Sequence, residues 1–379
     1  MAPWAALIVE DGLSRQALSA CRALAAAGWE VGIGAERPWG VAACSRWARH
    51  RHHLPAPNLD PDGFVEATAQ AVRERGYGIV FGARDVDVLA LSARRDEIPA
   101  LVPYPPHERV LRAFDKQRLH AAAERVGVPV PWTAQAVDGS STKEPVIVKA
   151  RAHANLENGP VTPRIETQLA STTDEAVTRV KQIRRLGGQP LLQEFIRKPR
   201  LVAFSLVADE NSRIVARVQQ EAGAVWPLEA GVSVRARTVK PDERLAEGAA
   251  ALVAELGWSG LAELQYMVPE DGLPRLIDFN GRFYGSMSLA VAAGVNLPAI
   301  WASLATGRAL PPEREAIPGV RYQWLWGDLR RSIDERHGLL DTLRYAFGAA
   351  QSVSSVRDPA PAVRHLQICL GQAVRNLRR

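Results

Sequence analysis

Apolar strand-like runs alternate with helix-like segments over the first hundred residues, and this alternation constrains the fold more than any other feature. Residues 5–9 and 29–33 are predicted strands, and the segment between them, 14–27, has the pattern of a capped helix. A second helix and a third strand follow over 64–81. Strands that alternate with helices pair in parallel, because each helix returns the chain across the sheet. The sequence therefore predicts an α/β domain with a parallel sheet over residues 1–105.

The turn after the first predicted strand bears on function as well as on fold. It reads Glu10-Asp11-Gly12-Leu13-Ser14 and lacks the G-x-G-x-x-G fingerprint. Dinucleotide-binding domains need those glycines there, because the backbone must approach the pyrophosphate closely. A nicotinamide-dependent oxidoreductase is therefore an alternative that the sequence disfavours.

Length and cysteine content limit the class of protein. A chain of 379 residues can form two or three domains with sizeable cores. Its three cysteines, Cys21, Cys44 and Cys369, fit no metal or redox pattern, which is typical of a reducing compartment without disulfides. There is no apolar run of about 18 residues, the length that a membrane span needs. We therefore expect a cytoplasmic protein with no membrane partner, and a homo-oligomer stays open.

The net charge of +6 raises the question of a nucleic-acid partner. Residues 308–379 hold 12 arginines against seven acidic residues, so most of the excess lies there. A nucleic-acid-binding protein that uses this basic C-terminal region is one alternative function. The arginines are scattered, however, and no aromatic stacking motif accompanies them, which favours an ordinary solvated surface.

Residues 276–286, with the sequence LIDFNGRFYGS, place reactive side chains at the end of an apolar run. In a strand, Asp278 and Asn280 lie on one face by alternation. A carboxylate and an amide oxygen are suitable ligands for a hard cation such as Mg²⁺ or Mn²⁺. Arg282 continues the same face and can bind phosphate, and Ser286 begins a helix-like segment whose N-terminus favours an anion.

A second predicted strand, residues 261–267, supplies Glu263 and Gln265 at alternate positions. The turn at 269–272 joins it to the strand of Asp278, so pairing would place Gln265 or Glu263 beside Asp278. Three oxygen-bearing side chains would then form an open metal site. The polar outer face of an ordinary hairpin shows the same alternation, so both interpretations stand on these residues.

The chain contains only six lysines against 41 arginines, and two of the lysines stand at the ends of predicted elements. Lys149 ends the buried-looking strand 145–149, and Lys116 begins the helix predicted over 114–126. A compact charge at the end of a buried strand would point into a cleft, although a lone lysine is more often a surface residue.

The order and spacing of six short elements resemble the ATP-grasp superfamily, most of all its carbamoyl phosphate synthase large subunit-like carboxylate–amine ligases. The elements are Asp115-Lys116, 127–131 (GVPVP), 145–149 (PVIVK), 192–196 (LQEFI), Gln265 and 277–282 (IDFNGR). The resemblance covers about residues 104–310. It implies an α/β pre-ATP-grasp domain (1–105) and then an α+β ATP-grasp pair. The pair would comprise a small lobe or lid (106–190) and a large lobe with the metal site (191–310). The residues beyond the resemblance have a helical tendency, which predicts a C-terminal helical extension (311–379).

The resemblance also implies a nucleotide site. Lys116 and Lys149 would hold the phosphates of ATP, and backbone groups at Glu194, Phe195 and Ile196 would form the adenine-binding hinge between the lobes. A mobile lobe over 115–190 would then close on that hinge.

The implied metal ligands for Mg²⁺ or Mn²⁺ are Gln265, Asp278 and Asn280. Arg282 would face the transferred phosphoryl group and act in catalysis together with Lys149. The substrate carboxylate has four candidate contacts on residue chemistry, namely Ser286, Arg235, Arg237 and Arg321.

The implied activity is ATP-dependent formation of an amide or peptide bond through an acyl phosphate, with release of ADP and phosphate. The substrates would be a small-molecule carboxylate and an amine, such as an amino acid, a peptide or a natural-product intermediate, and a thiol could replace the amine. Formation of the acyl phosphate requires that water be excluded, because water would hydrolyse it.

The chain departs from the family pattern at four points, and the last two, a glycine-poor loop and a missing acidic residue, keep a nucleotide-binding protein without ligase activity as an alternative. Asp278 stands where the family has Glu, and Gly281 stands where many members have Pro. The loop 151–163, which should be glycine-rich, contains only Gly159. The segment 197–201 after the hinge lacks the acidic residue that would bind the ribose.

Overall fold

A computed structural model describes the backbone of residues 4–136, 145–152, 167–197, 199–227, 231–312, 315–336 and 338–377, with side chains up to residue 371. Residues 153–163 of the predicted glycine-poor loop lie outside this described part. No helix within the described part combines the length and the apolar character that a membrane crossing would require.

The first domain is a parallel sheet flanked by helices. Its strands are β1 (Ala5–Glu10), β2 (Glu30–Ala35), β3 (Ala48–His53) and β4 (Ile79–Gly82), and its helices are α1 (Arg15–Ala26), α2 (Pro61–Arg75) and α3 (Asp85–Ala93). The strands lie in the order β3-β2-β1-β4 and all pair in parallel. Ser14 caps α1 by accepting a hydrogen bond from the amide of Ala17 at 3.1 Å. The predicted parallel α/β domain is confirmed.

Two helices, α4 (His107–Phe114) and α5 (Lys116–Arg125), lead from this domain into the rest of the chain. Their buried apolar side chains belong to the same hydrophobic core as the first sheet. Asp115 caps α5, because its carboxylate accepts hydrogen bonds from the amides two and three residues later. The cap positions the first turn of α5, and with it Lys116.

A separate antiparallel sheet forms what we call the small lobe, the described residues between 133 and 194. Its elements are β5 (Thr133–Gln135), β6 (Val146–Ala150), β7 (Gln168–Ala170), α6 (Thr173–Arg185) and β8 (Pro190–Glu194). The strands lie in the order β5-β8-β6-β7. The apolar side chains between this sheet and α6 form a core of their own, so the small lobe packs as a separate unit.

The large sheet has seven strands in the described residues. They are β9 (Arg200–Ala208), β10 (Ile214–Trp226), β11 (Val232–Val239), β12 (Gly260–Val268), β13 (Arg275–Asn280), β14 (Arg321–Gln323) and β15 (Ala349–Gln351). Their order is β13-β12-β9-β10-β11-β14-β15, antiparallel except between β14 and β15. The accompanying helices are α7 (Glu243–Leu256), α8 (Met287–Ala292), α9 (Leu297–Ala305), α10 (Leu325–Asp334), α11 (Leu339–Ala346) and α12 (Ala360–Leu377).

The C-terminal region completes the large sheet and joins it to the first domain. The sequence predicts only helices over 311–379, and the strands β14 and β15 correct this prediction. Strands of three residues are too short for an alternation of apolar and polar residues to reveal. The buried Asp358 accepts hydrogen bonds from Ser45 Oγ at 2.7 Å and from Arg22 Nε at 2.9 Å. The end of the chain is thereby attached to α1 and its neighbourhood.

Candidate active site

Antiparallel pairing of β12 and β13 brings four polar side chains to one face of the large sheet. Gln265 lies directly opposite Asp278, and Glu263 lies opposite Asn280. Opposed residues of an antiparallel pair point to the same face. The predicted hairpin, with Gln265 beside Asp278, is therefore confirmed. We call the side of the large sheet that carries these residues the site face.

Glu263 orients the two amide side chains of this group. Gln265 Nε2 and Asn280 Nδ2 each donate to Glu263 Oε2 at 3.0 Å. The carbonyl oxygens of both amides are thereby directed away from Glu263. Burial raises the pKa of Glu263 to about 7. Glu263, which the sequence offered as a ligand beside Gln265, thus lies behind the predicted ligands and holds them.

Two buried lysines from different parts of the chain lie beside this group. Lys116 Nζ is 3.4 Å from Asp278 Oδ1, and Lys149 Nζ donates to the carbonyl oxygen of Ile277 at 3.4 Å. Lys116 begins α5, whereas Lys149 belongs to β6 of the small lobe. Burial and the charge of Lys116 lower the pKa of Lys149 to about 7. Two cations held this close favour an anionic ligand between them.

Arg282 is held by groups from two domains. Its Nε donates to the carboxylate of Asp85 at the start of α3, and its Nη2 donates to Asn280 Oδ1 at 2.9 Å. Burial opposes the charge of Arg282, but the nearby carboxylates, Asp85 first, raise its pKa. The guanidinium is therefore a fixed cation at the end of β13.

The predicted hinge residues lie at the junction of the small lobe and the large sheet. Glu194 ends β8, and its Oε1 accepts a hydrogen bond from Arg275 Nη1 of β13 at 2.8 Å. Glu194 also accepts from the amide of Trp132 at 3.3 Å. Phe195 and Ile196 continue beyond the strand. The segment 194–196 therefore connects the small lobe to the large sheet, and its role as an adenine-binding hinge stays a prediction.

Ser286 also lies on the site face. Gln265 pairs with Ala203 on β9, and Ala203 pairs with Gln220 on β10, so Gln220 shares that face. Gln220 Nε2 donates to Ser286 Oγ at 2.7 Å, and both side chains are buried. The helix that follows, α8, has only six residues, so the expected anion site at its N-terminus is weak. The hydrogen-bonded side chains of Ser286 and Gln220 are therefore the polar groups that this part of the site face offers to a ligand.

The three arginine candidates point away from the site face. Thr238 pairs with Gln220 and shares that face, so Arg235 and Arg237, at odd spacing from Thr238 on β11, point to the opposite side. Arg321 lies opposite Arg237 in the pairing of β11 with β14 and points with it. The structure thus corrects the expectation that these arginines contact substrate, since the sheet separates them from Gln265 and Asp278.

Arg235 is engaged in a buried ion-pair network behind the sheet. Its Nε donates to Asp328 Oδ2 at 2.6 Å, its Nη1 to Asp341 Oδ2 at 2.5 Å and its Nη2 to Thr342 Oγ1 at 3.1 Å. Asp328 is fully buried. Arg237, by contrast, is 64% exposed and pairs with an acidic residue at the surface. Arg235 therefore attaches α10 and α11 to the sheet.

Two residues near the site were missed by sequence reasoning. His120 lies one helical turn after Lys116 on α5, and the charges of both buried lysines act on it. Its i, i+4 spacing from Lys116 is a signal that could have indicated a shared face. Asp85, the partner of Arg282, lies 197 residues away in sequence and carries no such signal.

Gly281 is required by packing. A Cβ atom built at this position would lie 2.3 Å from the ring of Trp258 and 2.9 Å from that of Phe114. Both rings belong to the main hydrophobic core. Any residue larger than glycine, proline included, would collide with Trp258.

Replacing Gly281 with alanine is expected to lower the free energy of unfolding by about 1–3 kcal/mol, the usual effect of overpacking. Chemical denaturation of the purified variant measures this. Gly223→Ala is the matched control, because a Cβ there would meet its nearest neighbour at 3.7 Å. Equal stability of Gly281→Ala and wild type would show that Trp258 moves without penalty.

A family model described as "ATP-grasp in the biosynthetic pathway with Ter operon" matches residues 207–327. The matched stretch contains β12, β13 and Arg282. No curated protein matches the chain by sequence.

Three solved structures are similar to this chain. N5-carboxyaminoimidazole synthetase from Staphylococcus aureus matches with a TM-score of 0.66 and 12% identity, over 88% of this chain and 85% of that one; it has also been solved with ADP. L-amino acid ligase from Bacillus licheniformis matches with a TM-score of 0.58 and 15% identity, over 80% and 74%. Pyruvate carboxylase from Rhizobium etli matches with a TM-score of 0.64 and 13% identity over 84% of this chain, which spans only 29% of that protein.

Proposed function

We propose that this chain, which has the ATP-grasp fold, is an ATP-dependent ligase that joins a small-molecule carboxylate to an amine. The observation that carries the proposal is the meeting of Lys116, Lys149 and Arg282 around Asp278, between the small lobe and the large sheet. Three buried cations at one carboxylate suit a polyphosphate ligand. The similarity to an L-amino acid ligase supports amide formation, and the synthetase solved with ADP supports the nucleotide.

In this proposal Lys116 and Lys149 hold the phosphates of ATP, and the backbone of 194–196 holds the adenine. Lys149 has its pKa lowered to about 7 by burial and by Lys116. The negative phosphates favour its charged form, so nucleotide binding would take up protons near neutral pH. The small lobe, which carries Lys149, would close over the nucleotide and exclude water.

Gln265, Asp278 and Asn280 fit a magnesium or manganese ion. They offer one carboxylate and two amide carbonyl oxygens, and hard cations take oxygen ligands. Glu263 supports this fit at Gln265, because it accepts a hydrogen bond from Nε2 and leaves the carbonyl oxygen for another partner. Asn280 Oδ1 already accepts a hydrogen bond from Arg282, so a bound ion would share this oxygen with the guanidinium. When bound, the ion would neutralise negative charge on the phosphates.

The substrate carboxylate would lie on the site face beside Ser286 and Gln220. Its oxygen would attack the terminal phosphorus of ATP, giving an acyl phosphate and ADP, and the amine would then displace phosphate from the acyl carbon. Arg282 would neutralise the charge that develops on the transferred phosphoryl group. Asp85 and Asn280 hold the guanidinium in place, so it needs no reorganisation for this step.

The test is a screen of pooled amino acids and small acids for ADP release. We expect release that requires an acid and an amine together, and we expect ¹⁸O from a labelled carboxylate to appear in the released phosphate. Arg282→Ala should reduce this activity by about 10²–10³-fold. Nucleotide binding without any acid-dependent turnover would contradict ligase activity and favour a nucleotide-binding protein.

A further inference from the structure

His120 is a buried imidazole whose hydrogen-bonding groups are not used by the protein. The residue is 5% exposed. Neither Nδ1 nor Nε2 has a hydrogen-bond partner among the residues that the structure describes. Buried polar groups almost always have partners, because leaving one unpaired is costly. A group beyond those residues, such as a bound ligand or an ordered water, is therefore needed to complete this side chain.

The surroundings of His120 identify the ligand as anionic. His120 lies one turn after Lys116 on α5, the helix that packs against β13. Burial and the charges of Lys149 and Lys116 lower its pKa to about 3, and Asp278 opposes them. The ring is therefore neutral and presents one N–H donor near Lys116 and Lys149, two of the three cations proposed to bind phosphate.

The other buried residues of α5 indicate that His120 is not simply a core residue. The other buried positions after the first turn of this helix are Leu119, Ala122 and Ala123, all apolar. An apolar side chain at 120 would fill the same space without an unpaired polar group. A hydrogen bond from a ring nitrogen to a ligand would explain why position 120 is a histidine.

We propose that His120 binds the nucleotide directly, donating its ring N–H to a phosphate oxygen as a third phosphate-binding side chain beside Lys116 and Lys149. The inference rests on the proposed function, since it takes the ligand to be ATP. It adds a neutral donor to a site whose other donors are cations.

This role has opposite effects on the free and the bound protein. In the free protein the unpaired imidazole is destabilising. His120→Leu, which has a side chain of similar size, should therefore unfold at an equal or higher temperature than wild type. In the complex the hydrogen bond is lost, so the dissociation constant for MgADP should rise by about tenfold or more. His120→Asn keeps an N–H donor on a shorter side chain. Its dissociation constant for MgADP should therefore lie between those of wild type and His120→Leu.

The experiment is calorimetric titration with MgADP, combined with thermal unfolding with and without the nucleotide. His107→Leu on α4 is the matched control, because His107 Nδ1 already bonds Ser92 Oγ at 2.9 Å. That control should lose stability and keep its affinity for MgADP.

His120→Leu that binds MgADP as tightly as wild type would overturn the proposal, as would a wild type that binds no nucleotide. A wild type that binds MgADP but never forms product would refute ligase activity and leave the result at His120 intact. The two proposals therefore fail in different measurements.

Discussion

Replacing Lys149 with methionine is expected to reduce acid- and amine-dependent ADP formation by about 10²–10³-fold while the free protein stays folded. Methionine preserves the length of the buried stem and removes the charge beside Asp278. The substitution thus removes the proposed phosphate contact without opening a cavity. A coupled assay of ADP release measures the loss, and a denaturation curve of the same preparation verifies folding.

The stability of this variant should depend on pH in a defined direction. Burial and Lys116 lower the pKa of Lys149 from 10.5 to about 7, so the unfolded chain binds this proton more tightly than the folded protein does. Wild type therefore loses stability as the pH falls from 10.5 through 7. Methionine removes this loss, so the advantage of the variant should be largest below pH 7 and should fade as the pH rises towards 10.5.

Lys181→Met is the matched control, since Lys181 is an exposed residue on α6 of the same lobe. It should change neither ADP formation nor the pH dependence of unfolding. Full activity of Lys149→Met would refute the assignment of the phosphate site. A pH dependence unchanged from wild type would show that Lys149 is not a buried cation in the free protein.

Replacing Arg235 with alanine is expected to lower the free energy of unfolding by about 3 kcal/mol. The substitution leaves Asp328 fully buried without its strongest partner. Arg331 and Gln323 still donate to this carboxylate, which limits the loss to the lower end of the range for broken buried pairs. Urea titration followed by tryptophan fluorescence measures the change.

Arg237→Ala provides the comparison on the same strand and the same side of the sheet. Its side chain is 64% exposed, so its pairing with Glu221 should contribute less than about 1 kcal/mol. A variant of Arg235 that keeps its stability but needs far more carboxylate substrate for half-maximal rate would contradict the structural role. That result would indicate that Arg235 contacts the substrate.

Patterns within short stretches of sequence are sufficient to predict the first domain and the central hairpin. The alternation of elements predicts the parallel sheet, and Ser14 marks the start of α1 correctly. The alternation on β12 and β13, with a turn between them, is enough to place Gln265 beside Asp278. Each of these features depends on neighbours within about one hairpin.

Contacts between segments that are distant in the sequence could not be predicted from such local patterns. Arg235 finds its acidic partners 93 and 106 residues later. The side of the sheet on which it lies depends on the register of five strands, and a bulge interrupts β10 between Ala222 and Ala224. In the sequence, two arginines two residues apart suggest a substrate contact. In the tertiary structure they lie on the side of the sheet opposite the site face.

The three residues of β14 have a consequence for any attempt to isolate a minimal catalytic fragment. They cover the backbone of β11 at Arg235, Ala236 and Arg237. A chain that stopped short of residue 321 would leave unpaired the N–H and C=O groups of β11 that face β14, and such edges recruit other chains. Fragments cut at the apparent end of the catalytic unit should therefore precipitate or self-associate.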